Sequence, residues 1–218
     1  MPVYVSRPQK NRLPGLVFIY EIFGATDEMR RVADDFADSG YAVAMPDLFS
    51  RGSWFSCVRQ FMNDIKTGQG RSVQDLLDAR QWLSTREFAD PDRIAVIGFC
   101  MGGGFALILA KTGLFRVAAP FYGKAPDRLD GACPIVASYG ARDKATAPEI
   151  EKIKSEVARL HIPNDLKLYP DAGHNFMNRA PNALLGFLSS ISPIHGGYNP
   201  AAAGDAKDRV LAFLKAHV

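Results

Sequence analysis

Cysteine is scarce in this chain, with three residues among 218, scattered at positions 57, 100 and 133. An odd number without a C-x-x-C pair or Cys/His ligand spacing excludes a disulfide framework and a zinc site. Long apolar runs are lacking too. No stretch reaches the length that crosses a bilayer, and Met1-Pro2-Val3-Tyr4-Val5-Ser6-Arg7 lacks the apolar core of a secretory signal. Nor is there a block of one charge: 26 Lys and Arg stand against 23 Asp and Glu, a net charge of +3 spread along the chain. That distribution excludes a basic nucleic-acid or membrane face, although a mildly basic cleft would suit an anionic small molecule. The expectation is a cytoplasmic protein of a reducing compartment, with neither nucleic acid nor membrane as partner.

What is present is ample apolar material, 47% of the chain, and a length that fits one domain over 1–218. Short β-type runs alternate with amphipathic helical stretches, the pattern of an α/β fold with a mostly parallel sheet and helices on both faces. Strands are expected at Val3–Ser6 (an edge), Leu16–Tyr20, Tyr41–Met45, Arg93–Ile97, Val117–Tyr122, Pro134–Tyr139 and Leu166–Tyr169. The sheet should therefore hold about seven or eight strands. Helices are expected over Glu28–Asp38, Ser72–Arg86, Pro148–Leu160 and Asp205–Ala216, with another following Gly102. Phe49–Arg71 and the stretch from His174 to about Ala203 read as long irregular segments at the C-terminal edge of the sheet, where open α/β folds bind ligands.

Between the Arg93–Ile97 strand and the next helix lies Gly98-Phe99-Cys100-Met101-Gly102, a strand–turn–helix elbow with a thiol at its apex. The glycines leave room where side chains would strike the neighbouring strand or helix. Cys100 then projects at the positive end of a helix, which favours a thiolate. The alternative is a small buried cysteine of no chemistry. A nucleophile needs a base, and the base an orienting group, each on a loop after a later strand. Gly140-Ala141-Arg142-Asp143 follows one strand and Asp171-Ala172-Gly173-His174 the next, so acid and histidine come in the expected order. Asp143 could instead cap the following helix, and His174 could be a loop histidine. His161 and His217 read as surface residues at helix ends, and no motif surrounds His195.

Taken together, Tyr20-Glu21-Ile22-Phe23-Gly24, Met45-Pro46-Asp47-Leu48, the Cys100 elbow with Gly103, Asp143 and Gly173-His174-Asn175-Phe176 resemble the dienelactone hydrolase family. The resemblance runs from Leu16 onward. It implies a single α/β-hydrolase domain with a Cys100–His174–Asp143 triad and thioester chemistry, acting on a small ester or lactone without metal or organic cofactor. It also implies that Glu21 stands beside the resting thiol. There a carboxylate disfavours the thiolate and keeps Cys100 protonated until substrate arrives. The alternative for Glu21 is a structural salt bridge. The backbone N–H groups of Ile22 and Met101 are the implied oxyanion donors.

Family members hold a substrate carboxylate with two arginines, one from the segment after P-D-L and one just beyond the histidine. Here the candidates are Arg51, Arg59 and Arg71 in the first region, with Arg59 preferred, and Arg179 in the second. Arg179 lies five positions after His174, one further than the family pattern, and Asn175 stands where a serine is usual. Phe23, Trp54, Phe55 and Phe61 offer an aromatic pocket wall. The apolar stretch from Leu184 to Ile194, with Gly196-Gly197 as a hinge, is expected to cover the pocket or form a dimer contact, and monomer and homodimer both stay open. Two rival functions remain: an esterase or thioesterase using the same triad on another acyl group, and a non-catalytic binding protein of the same fold.

Overall fold

Leu16, Val17, Phe18 and Ile19 form an unbroken apolar run with no polar face to turn to water, so the run must be covered on both sides. The computed structural model, which describes residues 1–180 and 190–218, sets it near the middle of a sheet. In chain order the strands are β1 (Val3–Ser6), β2 (Leu13–Ile19), β3 (Ala42–Pro46), β4 (Ala89–Phe99), β5 (Ala118–Phe121), β6 (Ile135–Gly140) and β7 (Asn164–Tyr169). The helices are α1 (Asp27–Asp38), α2 (Trp54–Thr67), α3 (Arg71–Ser84), α4 (Met101–Ala110), α5 (Glu149–Leu160) and α6 (Pro200–His217). The spatial order is β1-β3-β2-β4-β5-β6-β7. β1 runs antiparallel to β3, and every other pair is parallel.

That order contains a switch point. From β2 the chain crosses to β3 on one side, and from β4 it crosses to β5 on the other. The loops leaving the C-terminal ends of β2 and β4 therefore diverge and open a crevice between them. Register sharpens the placement: Ile19 lies opposite Gly98, and Phe99 opposite Phe121. Glu21, Cys100 and Tyr122 thus stand just past three neighbouring strand ends.

The expected helix over Glu28–Asp38 forms as α1, because Thr26 caps it through the Met29 N–H and Met29, Val32, Ala33 and Phe36 make its buried stripe. Phe49–Arg71, expected to be irregular, is mostly helix. Ser53 opens α2 by accepting the Ser56 N–H, and Gly68 ends it in the left-handed region at φ 71°. Its inner face carries Cys57 and Phe61, but also Asp64, which is fully buried. Asp64 accepts the Ser72 N–H at 2.9 Å and the Gln60 amide at 2.6 Å. Gly70, at the start of α3, has no side chain with which to cap, so α2 supplies the cap.

The C-terminal helix starts at Pro200 rather than Asp205, with Asn199 accepting the Ala202 N–H. The second irregular segment is correspondingly shorter than expected. The part of the Leu184–Ile194 stretch at 184–189 lies outside the described residues. Ile194 and Gly197, beyond it, are tied to the histidine loop. The His174 N–H donates to the Ile194 carbonyl at 2.9 Å, and the Gly197 N–H donates to the His174 carbonyl at 3.0 Å. Among the described residues, no helix is long and apolar enough to cross a membrane.

Candidate active site

Cys100 adopts φ 56° and ψ −115°, a conformation that costs any residue with a side chain. Two glycines make the turn possible. A Cβ on Gly98 would run into the Gly102 carbonyl, and one on Gly102 into the carbonyls of Ile19 and Tyr20. The Cys100 N–H donates to the Phe121 carbonyl at 3.0 Å, which pins the apex to β5. The thiol is partly exposed at the N-terminus of α4, whose partial positive charge favours an anion there.

Asp143 and His174 meet although 31 residues separate them, with Asp143 Oδ2 at 2.6 Å from His174 Nδ1. Asp143 does not cap the following helix, which starts at Glu149 behind Pro148, but it does hold the intervening turn: Oδ1 accepts the N–H groups of Ala145 and Thr146 at 3.0 and 3.3 Å. The Thr146 hydroxyl donates to Oδ2. Burial pushes this carboxyl up, but the hydrogen bonds from His174 and Thr146 outweigh it and hold Asp143 below its usual range. Burial works against a charged imidazole too. Hydrogen bonds to Asp143 and to Cys100 outweigh that penalty and raise His174 to about 10. Of the remaining histidines, His161 lies in a left-handed cap after α5 and His217 in the last turn of α6, while the His195 backbone packs against Gly173 and its Nδ1 stands 3.1 Å from the Ser190 carbonyl.

Glu21 is buried, and its partners are neutral. Tyr122 donates its hydroxyl to Glu21 Oε1 at 3.2 Å, and Asn178 Nδ2 stands 2.5 Å from the same oxygen. Asn178 Nδ2 also reaches the Tyr122 hydroxyl at 3.1 Å. The structural salt bridge is not found: among the described residues no ion pair reaches Glu21. Burial raises the Glu21 carboxyl, against the pull of His174 and the two hydrogen bonds. The Tyr122 hydroxyl is held far above its usual value by burial and by the charge of Glu21.

Tyr122 and Asn178 are the two residues of this cluster that the sequence does not single out. Tyr122 ends an expected strand and reads as core. Its backbone turns to φ 39°, and its ring packs 4.8 Å from the His174 imidazole. Asn178 sits four residues after His174, and that spacing was the available signal.

Ile22 and Met101 bring their backbone N–H groups to the two sides of the crevice, and neither donates to an acceptor among the described residues. Trp54, from α2, donates its indole N–H to the Ile22 carbonyl at 3.1 Å. Trp54, Phe55 and Phe23 are exposed, as a pocket wall requires, but Phe61 is not. It packs edge-on against Phe49 and Phe105 in the core.

The expected arginine pair is not assembled. Arg51 is tied to Asp75 at 3.0 Å, and Arg71 begins α3. Arg59 falls on the solvent stripe of α2 with Phe55 and Met62, at spacings of four and three residues, and all three are exposed. The Arg179 guanidinium lies 5.3 Å from the Tyr198 ring. Tyr198 lines a surface cavity with Arg31, Phe36 and Lys207, apart from Cys100 and His174. Neither Arg59 nor Arg179 has an ion pair or hydrogen bond to Cys100, Glu21 or His174. Among the described residues no group of three or more His, Cys, Asp or Glu is arranged to hold a metal ion.

Comparison with known proteins is consistent along the whole chain. A model of the dienelactone hydrolase family matches residues 1–218. A carboxymethylenebutenolidase from Rhodococcus opacus is 26% identical over 253 residues, covering 100% of this chain and 93% of that protein. A "probable 2-oxo-3-(5-oxofuran-2-ylidene)propanoate lactonase" from Bradyrhizobium sp is 26% identical over 234 residues, covering 99% and 89%. Among solved structures, a dienelactone hydrolase-like promiscuous phosphotriesterase from metagenomic libraries superposes with a TM-score of 0.78 at 23% identity, over 96% of this chain and 88% of that one. The sheet and its helices are those of the α/β-hydrolase fold.

Proposed function

Because the chain belongs to the dienelactone hydrolase family along its full length, we propose that it hydrolyses a small ester or lactone through a thioester on Cys100. The observation that carries this reading is the convergence of Cys100, His174 and Asp143 at one sheet edge, with His174 Nδ1 2.6 Å from Asp143 and its charge favoured by both Asp143 and Cys100.

In the resting site His174 carries a proton, which Asp143 stabilises, and Glu21 is ionised beside a neutral thiol. On substrate binding the Cys100 thiol gives its proton to Glu21, whose carboxyl is raised by burial and is therefore a competent base. The thiolate adds to the carbonyl carbon, and the carbonyl π pair moves onto oxygen. The Ile22 and Met101 N–H groups receive this oxyanion, an arrangement that typically contributes a few kcal/mol to the transition state. Collapse breaks the carbon–oxygen bond, and the alkoxide leaves with the proton of His174. A thioester and a neutral imidazole remain.

Water then loses a proton to His174 Nε2 as its oxygen attacks the thioester. The second collapse expels the thiolate and releases the carboxylic acid. Cys100 recovers its proton from Glu21, and the cycle closes. Asp143 keeps His174 Nδ1 protonated throughout, so Nε2 is the nitrogen that exchanges protons.

Incubation with a p-nitrophenyl ester at low pH, quenched within a turnover, should add one acyl mass to the peptide containing Cys100. Cys100→Ala should neither acquire that mass nor turn over. Wild-type protein that is never acylated by any ester of a panel would favour a non-catalytic binding role instead.

A further inference from the structure

A buried carboxylate ordinarily has a cation as its partner. Glu21 instead has Asn178, which is only 6% exposed and holds it through a neutral amide. The Asn178 carbonyl oxygen is itself buried and unpaired among the described residues, so the side chain bonds through its amide nitrogen alone, to Glu21 and the Tyr122 hydroxyl. Arg179, the next residue, turns its guanidinium to Tyr198, and its backbone N–H donates to Glu28. Arg59 faces solvent on α2. Residues 181–189 contain no Lys or Arg, so no cation is hidden there. Beside the Ile22 carbonyl, the other face of the opening is aromatic. Phe23, the next residue, is 68% exposed, and Trp54, which donates to that carbonyl, is 44% exposed.

We propose that the site accepts an uncharged acyl group laid against Phe23 and Trp54, and that Asn178 is the residue that sets this preference. The proposal rests on the hydrolase reading above. A substrate carboxylate entering the crevice would meet two carboxylates, Glu21 and Asp143, against the single cation of His174, in surroundings where like charges interact strongly. An alkyl or aryl chain would instead leave water for ring faces that are now wet. The acyl pocket is thus defined by a missing charge and a present apolar wall.

The test compares p-nitrophenyl hexanoate with p-nitrophenyl hydrogen adipate, which differ in a terminal methyl against a terminal carboxylate. Rates are corrected for the hydroxide reactivity of each ester. The wild-type kcat/KM should favour the hexanoate by about tenfold or more, as expected for juxtaposed like charges. Added sodium chloride should narrow the gap by raising the adipate rate, since salt screens repulsion. Asn178→Arg should shift the ratio toward the adipate. Salt dependence requires no variant, so the test survives a substitution that fails to fold. A wild-type enzyme that turns over the adipate as well as the hexanoate would overturn the inference and leave the hydrolase reading standing. An enzyme that turns over neither, with Cys100 never acylated, would overturn the hydrolase reading and this inference with it.

Discussion

Trp54 donates its indole N–H to the carbonyl of Ile22, joining the first turn of α2 to the loop whose own N–H is the proposed oxyanion donor. The Ile22 carbonyl shares its peptide plane with the Phe23 N–H, and the Ile22 N–H lies one α-carbon back, so the indole steadies the loop beside the donor rather than the donor itself. Trp54→Phe keeps a ring and removes the donor. We expect kcat/KM for a p-nitrophenyl ester to fall about fivefold, the worth of one partly exposed hydrogen bond. The melting temperature should move little. Unchanged kinetics would show that the loop holds its orientation without the indole.

Asp143→Asn should cost far more. The amide preserves the shape and can still receive the Ala145 N–H, but it cannot stabilise an imidazolium at His174 Nδ1. Loss of about 10³-fold or more in kcat is expected, as in other triads with the wrong tautomer. The pH profile should also shift, because the hydrogen bond that His174 donates to Asp143 is what chiefly raises His174 against its burial. A variant retaining wild-type kcat would remove Asp143 from the mechanism.

Stability should depend on pH with a definite sign. His174 has an ordinary value of 6.5 and is raised to about 10 in the folded protein. A group whose folded value is raised contributes fully below its unfolded value, and that contribution is lost as pH rises through the folded one. The melting temperature should therefore decline between pH 7 and pH 10, with an upper bound on the order of 5 kcal/mol for this group. In His174→Gln most of that slope should vanish. Calorimetric scans of both proteins across this range make the comparison, and equal slopes would refute it.

Gly102→Ala should be among the most damaging single methyl additions in the chain. The new Cβ would press on the carbonyls of Ile19 and Tyr20, which are backbone atoms at the centre of the sheet and cannot step aside. We expect a loss of more than about 2 kcal/mol, in the range for strain at a special backbone position. The Cys100 thiol should also alkylate more slowly with iodoacetamide. Gly113→Ala is a useful companion, since nothing lies within reach of its added carbon and only its φ of 71° is strained. The two variants separate collision from backbone preference.

Much of the site was legible because its residues follow strands at short distances. Asp143 comes three residues after Gly140 and His174 five after Tyr169, so the strand ends nearly dictate where they stand. Cys100 was legible from its strand–turn–helix elbow, whereas Glu21 was reached only through the family resemblance, since its spacing alone assigned it no role. α2 was missed because its inner face includes Asp64, and a periodicity that counts every acid as solvent-facing breaks there. Arg59 and Arg179 illustrate a different limit. Proximity along the chain puts an arginine near a site but does not decide which way a long side chain turns. Here Tyr198 and the solvent face of α2 took them. Asn178 escaped notice because an asparagine in a loop has many ordinary uses. Its spacing from His174 hinted at a role, and its closeness to Glu21, from 157 residues away, supplies one.

The backbone bonds from His174 to Ile194 and from Gly197 to His174 make the histidine loop a borrowed structure. Its amide and its carbonyl are both satisfied by a length of chain that contributes no chemistry of its own. Hydrogen exchange at the His174 and Gly197 amides should accordingly share one opening event and one protection factor. Evolution is constrained in the same way. Substitutions that loosen Ile194–Gly197 would be felt as lost catalysis, transmitted through the backbone of His174.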